Sequence, residues 1–388
     1  RMKARTLMPR AKDRREQRIA KLARLREQGI DPYPPRVARS HTAIEAVAGF
    51  EGATDGQDVA VQVAGRLISI RVMGKSAFAH IADGSGRLQV YLRQDVVGQH
   101  SYELFRRQLD IGDFVEAGGR LFRTRTGEVT LEVKSFRLLS KALRPLAEKW
   151  HGLKDTETRY RQRYLDLIAN EQVRDIFVTR TRMISALRRF LDERGFLEVE
   201  TPVLQPLYGG ASAKPFTTYH NALDRTLFLR IADELYLKRL IIGGLDRVYE
   251  VSHNFRNEGI STTHNPEFTM MELYQAYADY HDMMRLVEEM CCIVAEQTLG
   301  SPVITYQGNQ IDLTPPWQRM TMRRAIMERT GIDIELYLTH KELAAAVSEH
   351  ALPVTGQPTW GKLVDELFEE SVQATLIEPT FVVDYPAE

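Results

Sequence analysis

Apolar and polar residues alternate with period two through much of residues 58–140. Val59, Val61 and Val63 take every second position of DVAVQV, and SAFAHIAD, RLQVYLR, DFVEAGGRLFRT and EVTLEVKSFRLL keep the same rhythm. Successive strand residues face opposite sides, so each run predicts a half-buried strand. Gly74, Asp83-Gly84, Gly118-Gly119 and Thr126-Gly127 break them, as turn-forming residues do. A helix-like piece, SYELFRRQL, falls between the third and fourth runs. Elsewhere the period lengthens. Ile19, Leu22 and Leu25 recur every three residues in DRREQRIAKLARLREQ, and Phe177, Ile184, Leu187 and Leu191 mark a stripe in FVTRTRMISALRRFLDERGF. Both segments predict helices, stopped by Gly29 and Gly195.

Five strands with a helix after the third match an OB-fold, a small barrel whose strand 2–3 face binds oligonucleotides. That face carries Arg71, Phe78 and Gln89. A ring to stack a base, a cation and an amide suit single-stranded RNA, although a lone strand Phe also reads as a core residue. Asp31-Pro32-Tyr33-Pro34-Pro35 is a rigid connector. After the second long helix, LEVETPVL reads as a strand containing Pro202, hence an edge or interface strand, because proline cannot donate to a ladder. The resulting division is 1–57 (basic helix and connector), 58–145 (barrel), 146–175 (linker) and 176–388 (a second, larger α+β domain).

Composition changes little in this picture. The 388 residues are 43% hydrophobic and 27% charged, ordinary for globular domains. No run of about 18 apolar residues predicts a membrane span, and no secretory pattern opens the chain. Cys291 and Cys292 are adjacent, which excludes a disulfide framework and favours a reducing, cytoplasmic setting. Net charge is zero, yet residues 1–28 hold eleven Lys or Arg against three acids. Such a stretch suits a polyanion. The helix within it reads either as facing RNA or as docked on the next domain.

The densest chemistry lies in residues 247–275, RVYEVSHNFRNEGISTTHNPEFTMMELYQ. Glu250, Ser252, Asn254, Arg256 and Glu258 share one parity, and Phe268, Met270, Glu272 and Tyr274 share another. If the two strands pair antiparallel with these faces coincident, one surface carries a cation, carboxylates and two aromatic rings. The loop Gly259–Pro266 exceeds an ordinary hairpin connection of roughly 2–5 residues, a length common in functional loops.

The runs F-R-N-E-G, H-N-P-E-F and E-L-Y-x-A-Y-A-D-Y resemble motif 2 of the class II aminoacyl-tRNA synthetases, in the version of the lysyl-tRNA synthetases. GRLISIRVMGKSAF…LQVYL resembles their anticodon-binding barrel, and the segment with Pro202 resembles motif 1. The resemblance covers about residue 10 to 388. It implies an antiparallel-sheet catalytic domain that activates L-lysine with ATP and transfers it to tRNA(Lys), with Mg²⁺ as cofactor. It implies that Arg71, Phe78, Gln89 and, across a loop, Glu128 contact the anticodon. It implies that Arg256 grips phosphate and carboxylate oxygens, that Glu258, His264 and Asn265 contact ATP, and that Phe268 stacks on adenine. Asn257 belongs to the same triplet but points to the opposite face, so its contribution is expected through the backbone. Gly210, Glu234, Glu272 and Tyr274 match lysine contacts, and Pro202 a homodimer interface.

Two departures stand out. Asp233 replaces the Pro usual before the Glu, and either caps the helix start or adds negative charge near the α-amino site. The motif preceding Thr263 lacks a basic residue that some relatives carry in the loop. The acidic pair that holds Mg²⁺, the Glu for the ε-ammonium and motif 3 are absent. We therefore expect a fragment, inactive alone in adenylation, with no metal ligand of its own. The competing reading is a non-catalytic RNA-binding and dimerising module. A protein-lysylating enzyme would lack the barrel, and an aspartate or asparagine pocket fits Glu272 and Tyr274 poorly.

Overall fold

The computed structural model describes residues 11–54, 58–146, 153–352 and 358–387. The first ten residues of the basic stretch and part of the expected linker, 147–152, lie outside the described residues. The chain divides into two compact units, Arg1–Val173 and Arg174–Glu388.

In the first unit α1 (Ala11–Glu27) and α2 (Ala43–Glu51) precede a barrel of β1 (Ala60–Met73), β2 (Ser76–Ala82), β3 (Arg87–Arg93), β4 (Phe114–Arg123) and β5 (Val129–Ser140), with the short α3 (Gln94–Val97) and α4 (Gln99–Gln108) after β3. The barrel closes in the order β1-β2-β3-β5-β4, the OB-fold arrangement that the alternation predicts. Its core takes the inward residues of every strand, among them Val61, Val63, Leu67, Ala77, Ala79, Ile81, Leu88, Val90, Leu131 and Val133. At Gly119 a Cβ would sit 1.9 Å from the Glu132 carbonyl oxygen, so glycine is required where β4 shifts register against β5. Helix α2 is not apparent from periodicity. It is set by a capping box, Thr42 with Glu45, which satisfies two end groups of a short helix.

Helix α1 is docked on the barrel. Leu22 and Leu25 are buried, while Ile19 is largely exposed. Arg18 donates to the carbonyls of Ile111, Ala142 and Arg144 at 3.0–3.1 Å, and Lys21 to Asp110 at 2.7 Å. The exposed Arg15, Arg24 and Arg26 remain on the outside. Under this contact the buried Lys141 pairs with Asp110 and Asp113 at 2.5 and 2.8 Å. Burial opposes the charge on Asp110, but the Lys141 and Lys21 ammonium groups hold its carboxyl below the usual range. Two short helices, α5 (Thr156–Arg161) and α6 (Arg163–Ala169), follow.

Helix α7 (Glu171–Asp192) starts three residues before the second unit, which continues with β6 (Leu197–Glu198), β7 (Leu204–Gln205), β8 (Thr217–His220), β9 (Arg225–Leu229), α8 (Glu234–Ile242), β10 (Arg247–Phe255), β11 (Glu267–Gln275) and α9 (Tyr280–Leu299). Strands β11-β10-β6 form one sheet and β7-β9-β8 another. LEVETPVL is therefore not one strand. It contributes β6 and β7 to different sheets, and the exposed Pro202 lies in the connector between them. Thr201 N–H and hydroxyl both bond the Glu250 carboxylate rather than a ladder. The α7 stripe is likewise buried only toward its end. Leu191 and Phe190 pack with Tyr249, Leu286 and Met290, whereas Ile176, Phe177, Val178 and Met183 are exposed.

The remainder holds β12 (Val303–Tyr306), β13 (Asn309–Asp312), β14 (Gln318–Thr321), α10 (Met322–Thr330), α11 (His340–Glu349), α12 (Trp360–Ser371) and β15 (Thr380–Val383). Helices α10–α12 share a separate apolar core. Strand β15 pairs in parallel with β14. Its partner is supplied by the helical module.

Candidate functional site

Strands β10 and β11 pair antiparallel with Val248 opposite Tyr274, Glu250 opposite Glu272, Ser252 opposite Met270 and Asn254 opposite Phe268. Directly opposed residues share a face, so the two parity sets coincide. The other face, with Tyr249, Val251, Met271 and Leu273, packs on α7 and α9. The sheet is thus held by its apolar side, leaving the polar side for chemistry.

Arg256 extends this face past the strand end. Its N–H bonds the Pro266 carbonyl at 2.9 Å, and its guanidinium lies 5.2 Å from the Phe268 ring centroid. Its Nε is buried without a hydrogen-bond partner. A buried donor left open is costly unless something accepts from it, and a guanidinium fork suits a phosphate or carboxylate. Asn257 is exposed, and it is its backbone that engages, donating to Lys214 O at 2.8 Å. Glu258 accepts weakly from the Lys214 N–H. The loop beyond folds on itself: Ser261 bonds the His264 ring at 3.0 Å and the His264 main chain on both sides. His264 and Asn265 are exposed there.

The other end of the face is more enclosed. Glu234 opens α8 and pairs with Lys238 at 2.6 Å, and Lys238 Nζ sits 5.9 Å from the Tyr274 ring centroid. Tyr274 hydroxyl lies 3.4 Å from Glu272. Burial first, and then the charges of Glu272 and Glu234, push the Tyr274 phenol up. Gly210 closes the rim. Its φ is +85°, and a Cβ there would lie 2.8 Å from Glu234 Cβ and 3.1 Å from Ala232 Cβ, so only glycine brings this backbone so near.

Beneath these residues lies a charged network that parity alone did not expose. Arg230 bonds Glu250 at 2.7 Å and the His253 carbonyl at 2.9 Å, with Thr201 completing the Glu250 carboxylate. Asp233 occupies the N-cap position of α8, but its dihedrals are helical and its side chain makes no capping bond. The capping alternative is therefore overturned. The carboxylate turns instead to the Ser252 hydroxyl at 2.6 Å.

In the barrel, two rungs cross the strand 2–3 face. Arg71, Phe78 and Tyr91 are aligned on β1, β2 and β3, and Ser69, His80, Gln89 and Thr130 on β1, β2, β3 and β5. Phe78 lies outside the apolar core and stacks on Tyr91, with centroids 4.5 Å apart and planes at 27°. Gln89 donates to Glu128 at 2.7 Å and accepts from Thr130 at 2.8 Å. His80 bridges Ser69 and Glu128 at 2.8 and 3.1 Å. The structure thus gathers Arg71, Phe78, Gln89 and Glu128 on one surface. Tyr91 and His80 were missed, though counting by two from Gln89 and Phe78 reaches them.

Among the described residues no group of three or more His, Cys, Asp or Glu is arranged to hold a metal ion.

Comparison with known proteins shows the family. A family model described as tRNA synthetases class II (D, K and N) matches residues 155–388, and one described as OB-fold nucleic acid binding domain matches residues 61–139. The lysine–tRNA ligase of Roseiflexus castenholzii is 57% identical over 373 residues, covering 96% of this chain and 76% of that protein. That of Chloroflexus aurantiacus is 56% identical over 375 residues, with the same coverage. That of Carboxydothermus hydrogenoformans is 53% identical over 371 residues, covering 96% and 75%. With both family models matched in one chain and relatives of this identity and coverage, the chain belongs to the lysine–tRNA ligase family of class II tRNA synthetases.

Proposed function

We propose that the protein is a lysine–tRNA ligase whose β10–β11 face binds both small substrates. The carrying observation is the placement of an open guanidinium and an aromatic ring at one end of this face, with Glu234, Glu272 and Tyr274 at the other. In this reading the lysine carboxylate attacks the ATP α-phosphorus and pyrophosphate leaves. A tRNA ribose hydroxyl then attacks the acyl carbon and AMP leaves. Two anions meet in the first step, so catalysis consists of positioning and charge neutralisation. Arg256 holds phosphate and carboxylate oxygens, Phe268 stacks on adenine, and Glu258, His264, Asn265 and the Asn257 backbone belong to the nucleotide side. Gly210, Glu234, Glu272 and Tyr274 hold lysine. Mg²⁺ accompanies ATP as it does in the family.

In the first unit Arg71, Phe78, Gln89 and Glu128 read the anticodon of tRNA(Lys). Pro202 is exposed between β6 and β7, and its neighbours Val203 and Leu204 are exposed as well, which supports a homodimer interface. The protein works in the cytoplasm, where tRNA is charged. No helix among the described residues is long and apolar enough to cross a membrane. The test is tRNA charging by the intact protein with each standard amino acid in turn. Lysine alone should be esterified, and charging of another amino acid in its place would overturn the assignment.

A further inference from the structure

Asp233 is fully buried, and it touches the amino-acid end of the site twice. Its main-chain N–H donates to Glu272 Oε1 at 3.2 Å, and its Oδ2 accepts from Ser252, which in turn accepts from Asn254 at 2.9 Å. Its Oδ1 has no hydrogen-bond partner. Arg230 Nε is 3.3 Å away, but that donor is given to the His253 carbonyl and Nη1 to Glu250 and Thr201. Glu272 has no cation within ion-pair distance among the described residues. Arg230 and Lys238 thus face four carboxylates: Asp233, Glu234, Glu250 and Glu272. Two negative charges are left over where solvation is poor, an arrangement that costs free energy until cations arrive.

Lysine brings two ammonium groups. Resting on the reading that this pocket takes lysine, we propose that Asp233 is a positioning and specificity-determining residue. Its N–H aims Glu272, and its carboxylate adds a buried negative charge beside that of Glu272, which raises the pocket's preference for a cationic over a neutral side chain. A neutral isostere such as norleucine brings only one ammonium and leaves the cluster short.

A pH signature follows. Glu272 and Tyr274 on β11, Ser252, Asn254 and Glu250 on β10, Glu234 and Lys238 on α8, and Arg230 after β9 are the groups around Asp233. Burial pushes the carboxyls of both Asp233 and Glu272 above their ordinary range, the Ser252 and Asp233 N–H bonds only partly opposing it. An ammonium ligand requires the ionised forms, so binding expels protons, and affinity falls as pH drops through the raised values. Two linked carboxylates make that fall steeper than one.

The test is titration calorimetry of L-lysine and norleucine against the intact protein, across mildly acidic to mildly alkaline pH, for wild type, Asp233→Asn and Ser252→Ala. Asp233→Asn should weaken lysine about tenfold at the alkaline end, the order of one neighbouring charge at interior permittivity. It should also flatten the acid limb and lower the lysine-to-norleucine ratio. A profile that superimposes on wild type overturns the proposal, as does a uniform loss that leaves slope and ratio unchanged. If Asp233→Asn does not fold, Ser252→Ala decides. It removes a donor but no charge, so it must move the acid limb to higher pH, and an unmoved limb refutes the role. Wild type that binds no lysine at all would instead overturn the functional reading on which this one rests.

Discussion

The barrel and the β10–β11 sheet each offer one face of an antiparallel pair, and they build it in opposite ways. On the barrel, every second residue goes into an apolar core, and the outward polar groups are paired with one another: Gln89 with Glu128 and Thr130, His80 with Ser69 and Glu128. On the sheet, the apolar residues also face a core, but the polar side is buried as well. Glu250, Ser252 and Asn254 are 4%, 5% and 0% exposed, while Asp233, Asn254 and Arg256 keep buried polar atoms without partners. A surface that meets a long, mobile polymer stays wet and self-satisfied, ready to exchange its bonds. A pocket for a small charged molecule withholds its bonds until the ligand completes them, at a cost in stability.

Three substitutions can break this contrast. The largest effect falls in the barrel, at the buried pair that anchors α1. Lys141→Ala leaves the buried Asp113 without its cation, Asp110 keeping Lys21, and should cost about 3–5 kcal/mol of stability, read by denaturant unfolding of the first unit's transition. Retained stability would mean that the barrel also tolerates open buried charge. Next is the open guanidinium of the sheet. Arg256→Lys should lower lysine-dependent ATP–pyrophosphate exchange about 10²–10³-fold, the size of one lost preorganised donor, with the folded structure unchanged. Wild-type exchange would remove Arg256 from the chemistry. The smallest is on the wet face: Phe78→Ala should weaken binding of the tRNA anticodon stem-loop by about 1–3 kcal/mol, with amino-acid activation untouched. Undiminished stem-loop affinity would return Phe78 to a packing role.

The same contrast explains what the sequence reveals. The barrel strands are long and alternate cleanly, so Val61, Ala77, Leu88 and Leu131 announce their faces without help. The coincidence of Glu250 with Glu272 and of Asn254 with Phe268 is also legible, because parity survives burial. What parity cannot show is depth. Arg230, Glu250 and Thr201 meet across 20 to 49 positions of chain, and nothing local marks Glu250 as buried. Pro202 misled for a related reason: the residues around it read as strand, but the Thr201 hydrogen bonds go to that same carboxylate and end the ladder. Asp233 has the composition of a helix cap, yet a stronger donor, Ser252, lies within reach on another strand.

The clamp of Arg18 on three carbonyls has a consequence for kinetics. A basic arm that is loose must give up conformational freedom each time it meets a polyanion. Arg15, Arg24 and Arg26 ride on a helix already fastened at its middle, so their charges are displayed at fixed spacing before any encounter. A polyanion that met this helix would find its charges already spaced, and their field would act without the helix having first to fold.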